Sequence, residues 1–107
     1  MQRVGMTWRV APEHWEEYKQ IHLNPWPELI TAIQEAGIHN YNIFAFGRRL
    51  FAYMEFDGDD LDAALAALEQ TEIKKRWNAQ VTVWVEPEAE DGSGVQFMQL
   101  ERVFYCS

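Results

Sequence analysis

Residues 3–10 alternate in polarity. Val4, Met6, Trp8 and Val10 point one way, and Arg3, Thr7 and Arg9 the other. That period of two predicts a half-buried strand. Pro12 opens a helix, where its missing N–H is no loss. Glu13, Glu16 and Glu17 suit the positive end of the helix dipole. Trp15, Tyr18 and Ile21 or His22 recur at helical spacing. The run Asn24-Pro25-Trp26-Pro27 then interrupts the helix, because the residue before each proline is driven out of helical geometry. A second helix is expected from Pro27 to Ala36, with Leu29, Ile30 and Ile33 on one face and Gly37 as its cap.

Residues 38–46 and 50–57 predict two strands joined at Gly47-Arg48-Arg49, a hairpin signal. Tyr41, Ile43 and Ala45 share one face of the first strand, with Asn40, Asn42 and Phe44 on the other. Asp57-Gly58-Asp59-Asp60 makes a turn and a cap for an alanine-rich helix from Leu61 to Leu68. Thr71 caps a further helix over roughly 71–85 that carries Trp77, Val81 and Trp84. Residues 86–94 predict an acidic loop, and Val95 to Tyr105 the last strand. The order β–α–β–β–α–β is the split βαβ, ferredoxin-like pattern: an α+β fold with an antiparallel sheet and helices on one face. Phe51 and Tyr53 alternate with Leu50, Ala52 and Met54, so neither face of that strand is polar. The face without helices is therefore expected to meet a second copy, the two sheets enclosing an aromatic space.

At 107 residues the chain fits one domain, 1–107. Five Trp, six Phe and four Tyr exceed the needs of a core this small and suggest a stacking pocket or an interface. A net charge of −8 argues against nucleic acid, which demands a basic patch. No apolar run approaches the roughly 20 residues of a membrane span. The first residues lead into a strand rather than a leader, and the lone Cys106 allows no internal disulfide. A reducing, cytoplasmic setting is expected.

The chemistry concentrates between Tyr18 and Leu29. Tyr18 and His22 are four apart on one helix face, and Trp26 stands at the break that follows. An imidazole exchanges protons near neutral pH, a phenol orients an oxygen, and an indole stacks on the apolar face of a sugar-sized ring. Tyr41 offers a second phenol and Trp77 another wall. Plainer roles stand beside these: a solvated His22, Tyr18 packed with Trp15 in the core, Trp26 as the plug of a bent loop, and Lys74-Lys75-Arg76 as a solvated helix face. Glu86, Glu88, Glu90 and Asp91 lack histidines and predict a solvated turn rather than a metal site. Neither a metal nor another cofactor is expected.

Four motifs span nearly the whole chain: Tyr18-x-x-x-His22-x-x-x-Trp26-Pro27-Glu28-Leu29, Gly37-Ile-His39-Asn40-Tyr41, Thr71-x-x-x-x-Arg76-Trp77 and Glu101-x-Val103-Phe104-Tyr105. Together they resemble the L-rhamnose mutarotase family. The resemblance implies a homodimeric α+β barrel that interconverts the α and β anomers of a 6-deoxyhexose without a cofactor. It implies His22 as proton donor and acceptor, with Tyr18, Tyr41 and Trp77 around the sugar, and Trp26 and Asn78 are counted with these substrate positions. Asn78 stands where the family often has a second Trp, and Leu23-Asn24-Pro25 follows His22 where Asn-Pro usually follows directly. With one stacking face missing, a looser sugar preference is expected, extending to L-fucose or another deoxysugar. Fold alone is equally consistent with an oxygenase of the dimeric α+β barrel type or a small-molecule binding module.

Overall fold

The structure, a computed structural model, describes residues 1–88 and 95–107. The chain opens with strand β1 (Gln2–Val10), followed by a single 3-10 turn over Pro12–His14 and helices α1 (Trp15–Leu23) and α2 (Pro27–Glu35). A hairpin follows, β2 (Ile38–Phe46) and β3 (Arg49–Phe56), and then helices α3 (Leu61–Glu69) and α4 (Glu72–Val81). Two short strands complete the sheet: β4 (Val85–Glu86) and β5 (Met98–Leu100). The sheet order is β2-β3-β1-β4, with β5 also on β1, and every pairing is antiparallel. This is the ferredoxin-like arrangement that the pattern predicts, with five strands rather than four.

Local signals explain the joints. Gly37 and Gly47 take positive φ, at the end of α2 and in the two-residue hairpin turn, where a Cβ would be strained. Asp60 accepts from the Ala63 N–H and Thr71 from the Lys74 N–H, so α3 and α4 start on side-chain caps. One extra residue in β2 breaks its register with β3 between His39 and Asn42, and Asn40 takes φ 47° there.

Three boundaries differ from expectation. The helix expected at Pro12 begins at Trp15, after the 3-10 turn. The helix expected through residue 85 stops at Val81, gives a 3-10 turn at Thr82–Trp84, and releases Val85 to pair with Val10. Val81, Thr82, Val83 and Val85 are β-branched, which weakens a helix and favours a strand. The last strand, expected over 95–105, keeps only Met98–Leu100. Extending its register beyond the Gly5–Leu100 pair would set Arg102 opposite Arg3, a like-charge pair that a ladder disfavours. The two guanidiniums instead lie 4.8 and 5.0 Å from the centre of the Tyr105 ring.

The acidic segment also departs from a solvated turn where it is described. Glu86 pairs with Arg48, and Glu88 pairs with Arg49 at 3.0 Å. Arg49 holds the Glu88 carboxyl below its ordinary range. Glu90 and Asp91 lie outside the described residues.

The core lies between the helices and one sheet face. Trp8, Val10, Leu50 and Ala52 meet Tyr18, Leu29, Trp77 and Val81 there, while Val4, Met54 and Phe56 meet Leu61 and Leu68. Each buried Val, Leu, Met or Phe among them contributes about 1.5–3 kcal/mol. The opposite face carries Phe44, Phe46 and Phe51, which are 64%, 84% and 40% exposed.

Candidate active site

Two helix stripes and the sheet leave a cavity of about 890 Å³ between them, inside a single chain. This cavity is on the helix side of the sheet, apart from the sheet face expected to meet a second copy. Helix α1 contributes Trp15, Tyr18, Lys19 and His22, and α4 contributes Lys74, Trp77, Asn78 and Val81. Both sets follow the i, i+3, i+4, i+7 spacing that keeps side chains on one face. Trp8 of β1, and Tyr41, Ile43 and Ala45 of β2, line the floor. A shallower groove of about 450 Å³ runs along α2 past Glu28, Glu35 and Glu72. It holds carboxylates but no imidazole or phenol, so acid–base chemistry at neutral pH belongs to the larger cavity.

His22 sits in the last turn of α1. Its Nδ1 lies 2.8 Å from the backbone oxygen of Tyr18. A carbonyl only accepts, so Nδ1 carries hydrogen and Nε2 is the nitrogen with the lone pair. Burial drives the imidazole pKa below its ordinary value, and the Tyr18 carbonyl only partly opposes this. The group is therefore a neutral base at pH 7. The other two histidines are paired with carboxylates, although His39 also lines the cavity. His14 pairs with Glu17 at 3.4 Å and stacks on Trp84. His39 turns its nitrogens toward Glu55 and Asp57.

The Tyr18 ring stacks on the His22 ring, with centroids 4.2 Å apart. Its oxygen accepts a 2.6 Å bond from Nε1–H of Trp8, leaving its own hydrogen to be donated; among the described residues no acceptor takes it. Tyr18 is 3% exposed, and this burial raises its phenol above the ordinary value, more than the Trp8 bond lowers it. The Tyr41 phenol is likewise pushed up, to about 12, by loss of hydration. Tyr41 as a residue is still 38% exposed, because it lines an open cavity. Both phenols stay protonated at neutral pH and act as neutral hydrogen-bond donors.

Trp77 meets His22 edge-on, with ring centroids at 5.2 Å, and is 8% exposed. Asn78 beside it also lines the cavity. Five of the six expected site residues thus converge: Tyr18, His22, Tyr41, Trp77 and Asn78. Trp26 does not join them. It packs edge-on against Trp77 at 5.2 Å, behind the cavity wall, as the plug of the bent loop. Among the described residues, no cluster of His, Cys, Asp and Glu is suited to hold a metal ion.

The family model for L-rhamnose mutarotase matches residues 3–106. The chain belongs to the L-rhamnose mutarotase family. An L-rhamnose mutarotase from Tolumonas auensis is 38% identical over 109 residues, covering all of both chains. One from Bacillus subtilis is 37% identical over 79 residues, covering 72% of this chain and 73% of its own. The crystal structure of an L-rhamnose mutarotase from Formosa agariphila superposes over the full length of both chains with a TM-score of 0.76 at 28% identity. A type-II polyketide cyclase, tetracenomycin F2 cyclase from Streptomyces glaucescens, superposes at 0.67 with 18% identity, a likeness of fold alone.

Sequence reasoning missed three cavity residues. Trp8 was legible only as the inner face of β1. Lys74 was read as part of a solvated face, and Glu69 was not singled out. The spacing of Lys74 and Asn78 to Trp77 on one helix was the available signal for Lys74.

Proposed function

We propose that this mutarotase-family chain interconverts the α and β anomers of L-rhamnose, with His22 moving the proton. The observation that carries the reading is the 2.8 Å contact between His22 Nδ1 and the Tyr18 carbonyl. The Nδ1–H is committed to that carbonyl, the imidazole pKa is lowered, and the ring forms part of the cavity wall.

In the hydroxyl form of the hemiacetal, O1 and O5 are bonded to the same carbon, so one nitrogen can serve both. Nε2 takes the proton from O1–H and delivers it to O5 as the C1–O5 bond breaks. The product is an open aldehyde with a hydroxyl at O5, and the imidazole is neutral again. Rotation about C1–C2 presents the other face of the carbonyl. The same steps in reverse close the ring, with Nε2 taking the O5 proton and O1 receiving it. Tyr18 and Tyr41 donate hydrogen bonds to the oxygen that gains charge, and their raised pKa values keep them neutral donors. Trp77 supplies an aromatic wall for the apolar face of the ring. Positioned acid–base catalysis contributes about 10²–10⁴-fold. That suits a reaction that already proceeds in water and requires no cofactor. Saturation-transfer NMR on L-rhamnose tests the reading: the wild-type protein accelerates exchange between the anomeric protons, and no acceleration would refute it.

We also infer a homodimer in the cytoplasm. Phe44, Phe46 and Phe51 share the uncovered sheet face and are 64%, 84% and 40% exposed, the kind of clustered apolar surface that marks an interface. Sedimentation equilibrium should give twice the chain mass and Phe51→Glu the single mass; a monomeric wild type would refute the dimer. The lone Cys106 suits a reducing compartment.

A further inference from the structure

At one end of the cavity wall, three side chains from the α3–α4 corner form a closed polar network. The Lys74 Nζ donates to Asn78 Oδ1 at 2.7 Å and pairs with Glu69 Oε1 at 2.9 Å. The Asn78 Nδ2 donates to Glu69 Oε2 at 2.5 Å. All three residues line the cavity. Each group binds the other two, so each is oriented before any ligand arrives.

We propose that Glu69, Lys74 and Asn78 form a preorganised wall that recognises a vicinal diol of the sugar, at the end of the pyranose away from the reacting carbon. This rests on the anomer-exchange reading above and assigns its specificity. An ammonium has three hydrogens, and the network uses two. The amide nitrogen has two, and the network uses one. Each carboxylate oxygen accepts one hydrogen bond and retains a second acceptor site. The network therefore keeps two donors and two acceptor sites for a ligand in the cavity that it lines. Two adjacent hydroxyls, each donating once and accepting once, match that set. Trp77, which meets His22 edge-on, lines the same cavity as the network. A ring held with its anomeric carbon at Nε2 then points its far hydroxyls toward the network. A hydroxyl of the wrong configuration leaves part of a charged network desolvated and unmatched, which a purely apolar wall would tolerate. Asn78 thus gives this chain a polar selectivity element, in place of the loose preference that a missing indole alone predicts.

The test is steady-state anomer exchange, followed by saturation-transfer NMR, on L-rhamnose and L-fucose, which differ in configuration at C2 and C4. Lys74→Met removes the shared donor. It is expected to raise KM for L-rhamnose by about tenfold, the loss of one charge-assisted bond, with a much smaller change in kcat. The kcat/KM preference between the two sugars should shrink by a similar factor. Glu69→Gln, nearly isosteric, should move KM and preference in the same direction, and it decides the question if Lys74→Met does not fold. An unchanged KM in folded variants would overturn the proposal, as would a KM rise equal for both sugars or a loss confined to kcat. A wild type that accelerates neither sugar would instead defeat the function on which the wall rests.

Discussion

Trp8→Phe isolates one hydrogen bond at the heart of the site. Trp8 is 3% exposed and its Nε1–H lies 2.6 Å from the Tyr18 oxygen, which is itself buried beside the His22 ring. Phe keeps an aromatic ring on β1 but removes the donor and part of the indole volume. The lost bond costs about 0.5–1.5 kcal/mol net. The smaller ring leaves a space beside Phe97, whose ring centre is 5.2 Å away, and adds about 1–2 kcal/mol. The sum, about 1.5–3.5 kcal/mol, is below the 5–15 kcal/mol of a typical domain, so the variant folds. Its functional effect is on the Tyr18 hydroxyl. The Trp8 bond occupies one side of the oxygen and directs its hydrogen elsewhere; without it the hydroxyl rotates freely. A misaligned donor is worth about 1.4 kcal/mol less, or tenfold in exchange rate. The assay is the exchange rate of Trp8→Phe, Tyr18→Phe and the double variant. Tyr18→Phe should be slower than wild type, and adding Trp8→Phe to it should change the rate little. A single variant at the wild-type rate, or a double variant whose losses multiply in full, would refute a route through Tyr18.

Three further outcomes follow from the same geometry. His22→Ala should lose about 10²–10⁴ in exchange rate, while circular dichroism shows the fold retained; near-normal exchange would remove His22 from the reaction. The pH–rate profile above the solvent background should have an acid limb centred below 6.5, the ordinary histidine value, because Nε2 acts only when unprotonated. It should show no alkaline limb through pH 10, since the Tyr41 phenol titrates only near 12. The lowered His22 value also bears on stability. The unfolded chain binds the proton first as pH falls below about 6.5, so stability declines from there down to the folded pKa and this contribution levels off below it. A denaturation series in which His22→Ala abolishes that decline would agree, and an unaltered decline would not.

The sequence pattern carried most of the architecture. The period of two in residues 3–10 and the caps at Gly37, Asp60 and Thr71 correspond to elements that form where expected. Boundaries failed where long-range pairing overrode local propensity. Val85 leaves the helix for a partner 75 residues earlier, Val10, and the last strand stops where Arg102 would meet Arg3. Neither contact is visible in a local window. In the site, the i, i+4 relation of Tyr18 and His22 was enough to place both side chains on one wall. Trp26 stands apart from the cavity because a break between prolines does not say which way an indole turns, and it turns behind Trp77. Trp8 escaped notice because an inward-facing strand residue is ordinarily core, and only its bond to Tyr18 gives it another role. Lys74 escaped because charge in a basic run is ordinarily solvated, whereas here Glu69 and Asn78 hold it at the cavity.

Proton transfer depends on Nε2 of His22 meeting the sugar as a lone pair. Nitrogen-15 NMR of histidine-labelled protein reads that atom directly. At pH 7 His22 should be neutral with hydrogen on Nδ1, and its Nε2 resonance should move when L-rhamnose is added. A ring protonated at pH 7, hydrogen on Nε2, or a resonance indifferent to the sugar would contradict it.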